Sequence, residues 1–149
     1  MTPAEAKTVI EESRTWIGTP YAHMAMVKGA GVDCAMILKA VYEKVFPELF
    51  AGVEIEYYPP DWHLHRDDER YVDNILRYAE EIPESEVQPG DIVVIKFGRS
   101  FAHGGIVTGW PNVVHAYMNA RCVIEEDFLK NKELAGRPRR FFRLKKCKE

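Results

Sequence analysis

Between Asp33 and Pro47 the apolar residues recur with the period of a helix. Cys34, Ile37, Leu38, Val41, Tyr42, Val45 and Phe46 fall at i, i+3, i+4, i+7, i+8, i+11 and i+12. That spacing places them on one face of a helix turned toward a core. Asp33 stands where an N-cap would satisfy the first N–H groups, and Pro47 cannot continue the helix. A single buried helix of this kind needs other elements to cover it, and the remaining chain supplies them in a definite order. Thr2-Pro3-Ala4-Glu5 is a capping box with proline at the first helical position, which predicts a helix to about Thr15. Asp67-Asp68 opens a third helical pattern through Tyr71, Ile75, Leu76 and Ala79, ending before Pro83.

The pattern then changes to short apolar runs bounded by turn residues. Ile92–Ile95, Ala102–Thr108, Val113–Met118, Arg121–Ile124 and Phe141–Leu144 read as strands, with Gly109-Trp110-Pro111 as a hairpin loop. Helices first and antiparallel strands afterwards predict an α+β domain with a sheet of about five strands. The chain has 149 residues, enough for one domain with its own core. Its net charge of -3 argues against a surface built to neutralise nucleic-acid phosphates. No apolar run approaches the ~20 residues of a membrane span. The first residues lack the basic and apolar regions of a signal peptide, so synthesis in the cytoplasm without a leader is expected. Arg137-Pro138-Arg139-Arg140, with Arg143, Lys145, Lys146 and Lys148, reads as a solvated basic tail, with attraction to anionic polymers as its functional alternative.

Three cysteines, Cys34, Cys122 and Cys147, make no even disulfide framework. Cys122 fits strand packing and Cys147 an exposed tail. Cys34 lies in the first turn of the buried helix, where unpaired N–H groups and the dipole favour a thiolate and a lowered pKa. The plain alternative is a small buried apolar residue. A reactive thiolate needs an imidazole to exchange its proton. His103, before Gly104-Gly105, and His115, within Val113-Val114-His115-Ala116, are the candidates. If Gly109-Trp110-Pro111 is a three-residue loop, Gly105 faces His115, and His103 and His115 become diagonal neighbours on one face, roughly 7–8 Å apart. A two-residue or four-residue loop would place them on opposite faces. Taken singly, His103 also fits a surface histidine and His115 a satisfied core histidine. Together the three residues supply nucleophile, base and orienting group.

Five pieces in order resemble the NlpC family of papain-like cell-wall cysteine peptidases. They are Gly18-Thr19-Pro20-Tyr21, Gly31-Val32-Asp33-Cys34, Gln88-Pro89-Gly90-Asp91-Ile92-Val93, His103-Gly104-Gly105-Ile106-Val107 and Val113-Val114-His115-Ala116. The resemblance implies a papain-like fold with Cys34 as nucleophile, His103 as base and His115 as the residue that orients it. It implies an oxyanion role for Tyr21, whose hydroxyl can donate to developing charge. Asp33 and Trp62 are expected at the substrate site. The implied substrate is a peptidoglycan stem peptide, cut between D-glutamate and a diamino acid, with no metal or cofactor. The family's usual Asp-Cys-Ser-Gly is here Asp33-Cys34-Ala35-Met36, which leaves the reading of a free L-alanine amine in question. The alternatives are an acyl transferase or amidase on a non-wall substrate, and a non-catalytic tail-assembly or binding module.

Tyr58-Pro59-Pro60-Asp61-Trp62-His63-Leu64-His65 resembles an insertion of phage and gene-transfer-agent members. It suggests phage tail proteins as partners and delivery on a virion tail or by release to the wall. His63 and His65 would need a third metal ligand that the sequence does not place, so a lid or groove wall containing Trp62 is expected instead.

Overall fold

A computed structural model describes residues 1–55 and 69–145. The first helix, α1 (Pro3–Arg14), starts as the capping box requires. The Glu5 N–H donates to Thr2 Oγ1 at 3.1 Å, and the Thr2 N–H donates to Glu5 Oε1 at 2.7 Å. A two-stranded ribbon of β1 (Met26–Val27) and β2 (Gly31–Val32) follows and leads into α2 (Met36–Val45). The predicted apolar face of α2 is buried through Ile37, Leu38, Val41 and Tyr42. The third helix, α3, spans Arg70–Leu76. Its expected acidic opening at Asp67-Asp68 and the Tyr58–His65 segment, with Trp62, His63 and His65, lie outside the described residues.

One expectation fails at the end of α3. Ala79, read as a helical position, begins β3 (Ala79–Ile82). Tyr78 donates its N–H to the Ile75 carbonyl, closing the last turn. The following four residues then pair with β8 (Arg139–Leu144). The sheet therefore has six strands rather than about five. Their order is β3-β8-β4-β5-β6-β7, where β4 is Ile92–Phe97, β5 Ser100–Gly109, β6 Asn112–Tyr117 and β7 Cys122–Asp127. Every pairing is antiparallel.

Both faces of this sheet are covered. Ile92, Val94, Ile106, Val114 and Phe142 join Val9, Ile37, Leu38, Val41 and Ile75 in a core on the helical side. Val93, Ile95, Val107, Val113 and Phe141 join Phe128 and Leu134 on the other. Burial on both sides explains why Ile92–Ile95 is a continuous apolar run without alternation. The basic stretch is not a solvated tail. It is β8, and the arginines on its strand are neutralised in place: Arg139 by Glu84, Arg140 by Glu81 and Arg143 by the buried Asp91, each through two guanidinium nitrogens. Lys146, Cys147 and Lys148 lie outside the described residues. No helix among the described residues is long and apolar enough to cross a membrane.

Candidate active site

The site is built where the start of α2 meets the middle of β5. Residues 18–21 are stitched to β7 on one side and to β2 on the other. Gly18 donates its N–H to Val123, Tyr21 to Arg121, and Val32 to Pro20, at 2.9–3.0 Å. This lays Tyr21 alongside Val32-Asp33-Cys34. The short motif before Cys34 is thus a backbone splint, and it brings the Tyr21 hydroxyl to the thiol, with which it hydrogen-bonds.

Cys34 is 7% exposed. Its Sγ donates to the Ala102 carbonyl at 3.7 Å and also receives the Gly104 N–H. The thiol therefore rests against the main chain on both sides of His103. The Tyr71 hydroxyl of α3 donates to the Cys34 carbonyl at 2.8 Å and fixes that residue's backbone. Gly104 makes that approach possible. A Cβ at this position would lie 2.5 Å from the Val93 carbonyl oxygen and 2.9 Å from the Tyr71 hydroxyl. At Gly105 a Cβ would meet the Val114 oxygen at 2.5 Å and the His115 Cβ at 2.7 Å. The two glycines after His103 serve close packing on either side, as their place in the motif predicts.

The two histidines meet although the hairpin loop is not the one expected. Gly109 pairs with Asn112, so the loop between them has two residues, Trp110 and Pro111. Alone, this would put His103 and His115 on opposite faces. A register shift between Val107 and Gly109 inserts one extra residue, Thr108, and restores the pairing Val107↔Val113 and Ile106↔Val114. Thr108 Oγ1 is held between two acceptors, Glu125 Oε2 at 2.8 Å and the Asn112 carbonyl at 3.2 Å. Just past the end of that ladder, His103 Nε2 lies 2.7 Å from His115 Nδ1. His115 is fully buried, and its Nε2 lies 2.8 Å from Glu126 Oε2. Tyr117 and Phe128 pack on both imidazoles.

Asp33 does something other than face substrate. It is 1% exposed. Its Oδ1 accepts the Ala35 and Met36 N–H groups at 3.2 and 2.9 Å, and its Oδ2 accepts the Met24 N–H at 2.7 Å. Its carbonyl accepts the Ile37 N–H. It caps the turn that leads into α2, two residues before the helix's own N-cap position at Ala35. That cap overturns the expected acidity of Cys34. The N–H groups that would have favoured a thiolate are taken by a neighbouring carboxylate, whose charge also repels one. Burial, and then Asp33, push the thiol up to about 12, against the hydrogen bonds from Tyr21 and Gly104. Burial holds His103 well below the ordinary histidine value, with His115 adding to the effect. Burial also lowers His115, opposed by Glu126. Burial thus favours the neutral form of the thiol and of both imidazoles.

Glu126 and Tyr71 were missed in the sequence. The expected fourth strand stopped at Ile124, two residues short of Glu126. The register Tyr117↔Cys122 and His115↔Ile124 makes Glu126 the diagonal neighbour of His115. Trp62 lies outside the described residues. Among those residues no group of three or more His, Cys, Asp or Glu side chains is arranged to hold a metal ion.

No protein-family model and no curated protein matches the sequence. Solved structures do match. The NlpC/p60 domain of the peptidoglycan hydrolase SagA superposes with a TM-score of 0.63 at 19% identity, over 92% of this chain and 96% of that one. The chain has the NlpC/p60 fold. A second NlpC/p60 structure, NlpC2 from Trichomonas vaginalis, superposes with a TM-score of 0.66 at 17% identity over 97% of this chain, which spans 48% of the length of that protein. A protein described as an N-acetylmuramoyl-L-alanine amidase from Bacteroides uniformis gives a TM-score of 0.65 at 14% identity, over 97% of this chain and all of that one. The α+β, papain-like NlpC/p60 architecture expected from the five sequence pieces is the one observed.

Proposed function

We propose that this chain is a cysteine-dependent hydrolase that cuts an amide bond in the stem peptide of peptidoglycan. The observation that carries the reading is the placement of a thiol against the backbone of a histidine whose ring is joined to a second, fully buried histidine. The likeness to the domain of a peptidoglycan hydrolase supports the substrate class.

Burial and the Asp33 charge push the thiol up, so attack is assigned to the neutral thiol. His103 takes the thiol proton as sulfur adds to the carbonyl carbon, acting as general base in the same step. The carbonyl π pair moves onto oxygen. The Tyr21 hydroxyl and the Cys34 backbone N–H, both directed at the sulfur, are placed to donate to that oxyanion. The C–N bond then breaks, and the leaving amine takes the proton held by His103. Water, deprotonated by the same imidazole, cleaves the thioester and regenerates the thiol.

The bond we assign is the one between D-glutamate and the diamino acid. An amidase on the same fold makes the bond itself worth reading directly. Mass spectrometry of a muropeptide digest distinguishes the two: a new free amine on the diamino acid supports the assignment, and a new free amine on L-alanine, with the lactyl carboxylate left on the sugar, supports an amidase. Cys34→Ala should reduce either cleavage to background while the thermal melt stays cooperative. Wild-type activity in that variant would refute a cysteine mechanism.

A further inference from the structure

The side-chain chain does not end at His115. Asn131 Oδ1 accepts the backbone N–H of Glu133 at 2.9 Å and that of Leu134 at 3.3 Å. Those two contacts leave the Asn131 amide only one orientation, with its NH₂ turned away, and Nδ2 donates to Glu126 Oε1 at 3.1 Å. The other Glu126 oxygen receives His115 Nε2 at 2.8 Å. A carboxylate accepts and does not donate, so His115 Nε2 carries the proton. In a neutral imidazole the second nitrogen is then an acceptor. His115 Nδ1 accepts from His103 at 2.7 Å, so His103 Nε2 carries the proton. By the same rule His103 Nδ1 is left with its lone pair free, and that is the atom able to receive the proton from sulfur.

We infer that Glu126, fixed by Asn131, is a positioning residue that sets the tautomers of His115 and His103 and so leaves His103 Nδ1 as the base. The inference rests on the proposed cysteine mechanism for its kinetic consequence but not for its structural test. The groups packed on His115 are His103, Tyr117, Phe128 and Glu126. The Tyr117 hydroxyl is itself engaged, donating to Glu133 and receiving the Asn119 amide. Among these partners Glu126 alone brings a negative charge to the ring.

Glu126→Gln tests this with almost no change of shape. The Asn131 NH₂ claims the one remaining oxygen, so the new amide NH₂ faces His115 Nε2. His115 then carries its proton on Nδ1 and donates it to His103 Nε2, which leaves His103 protonated on Nδ1. Ring ¹⁵N spectra of ¹⁵N-histidine protein near neutral pH read this directly. Wild type should show both His103 and His115 as Nε2–H tautomers, and Glu126→Gln should convert both to Nδ1–H. In parallel, kcat for muropeptide cleavage should fall by about 100-fold or more at unchanged KM, since a comparable tautomer error in a serine triad costs about 10⁴. Glu126→Asp, poorer in shape but still an acceptor, should keep the Nε2–H tautomers and retain more activity than Gln.

An Nδ1–H tautomer at His115 in wild type would overturn the inference without any variant, whether or not Gln at this position folds. So would unchanged tautomers in Glu126→Gln. If the wild-type protein cuts no peptidoglycan amide, the proposed function falls while the spectra still decide the role of Glu126.

Discussion

Asp33→Asn separates two jobs that one carboxylate performs, and they move in opposite directions. The first job is structural. Asp33 accepts three backbone N–H groups while 1% exposed. An asparagine has one acceptor oxygen, so either the Met24 N–H or the pair at Ala35 and Met36 faces an NH₂ group. A buried N–H left without a partner costs about 1–3 kcal/mol. The second job is electrostatic. The carboxylate and the thiol belong to adjacent residues, and at a separation of roughly 6 Å and an effective dielectric of about 20 the repulsion is about 3 kcal/mol. Removing it raises the thiolate fraction at fixed pH by about two decades. The expected result is a protein that unfolds at lower urea yet reacts faster. Iodoacetamide labelling at about pH 8, with peptide mass spectrometry to separate the sites, should show Cys34 alkylated ~30–100-fold faster than in wild type. Cys122 should keep its rate and serves as the internal control. An unchanged or slower rate at Cys34 would refute the account of Asp33 as the carboxylate that holds the thiol protonated.

Burial lowers His103 and His115 below the value they have in the unfolded chain, so the unfolded state binds more protons and folding stability falls as pH drops below about 6.5. Urea midpoints between about pH 7 and pH 5 should show a slope approaching ~1.4 kcal/mol per pH unit for each histidine, and His103→Gln should flatten it; a flat wild-type profile would refute neutral burial. The carboxylates held low by their partners, Glu81, Glu125 and Glu126, lose their contribution only below about pH 4.5 and do not confuse that window. Gly104→Ala forces a methyl onto the Val93 carbonyl and the Tyr71 hydroxyl, and should destabilise by about 1–3 kcal/mol in the same assay while loosening Cys34. A change under about 0.5 kcal/mol there would mean that the strands shift at no cost.

Much of this layout was legible because local signals and tertiary packing agree. The capping box at Thr2 and the apolar stripe of α2 are specified by neighbours three and four residues away. The strands around His103 and His115 are legible in the composition, but their loop is not: a three-residue loop, or the observed two-residue loop with a bulge at Thr108, gives the same register. Composition does not distinguish those solutions, since both bring Gly105 opposite His115. Ala79 was misread because a helical period extends past Tyr78, and only pairing with β8, more than fifty residues away, decides for a strand. The acidity of Cys34 was misjudged for a related reason. A helix start favours an anion, but the sequence does not say which anion occupies it, and Asp33 is already there.

The edge strand β7 closes one side of the sheet, and such edges expose unpaired amides to other chains. Here residues 18–21 lie across its first residues, consuming the Arg121 and Val123 carbonyls and the Val123 amide. The segment that delivers the Tyr21 hydroxyl therefore also guards the border against intermolecular strand addition. A variant that frees this segment should expose that stretch of edge and lose solubility.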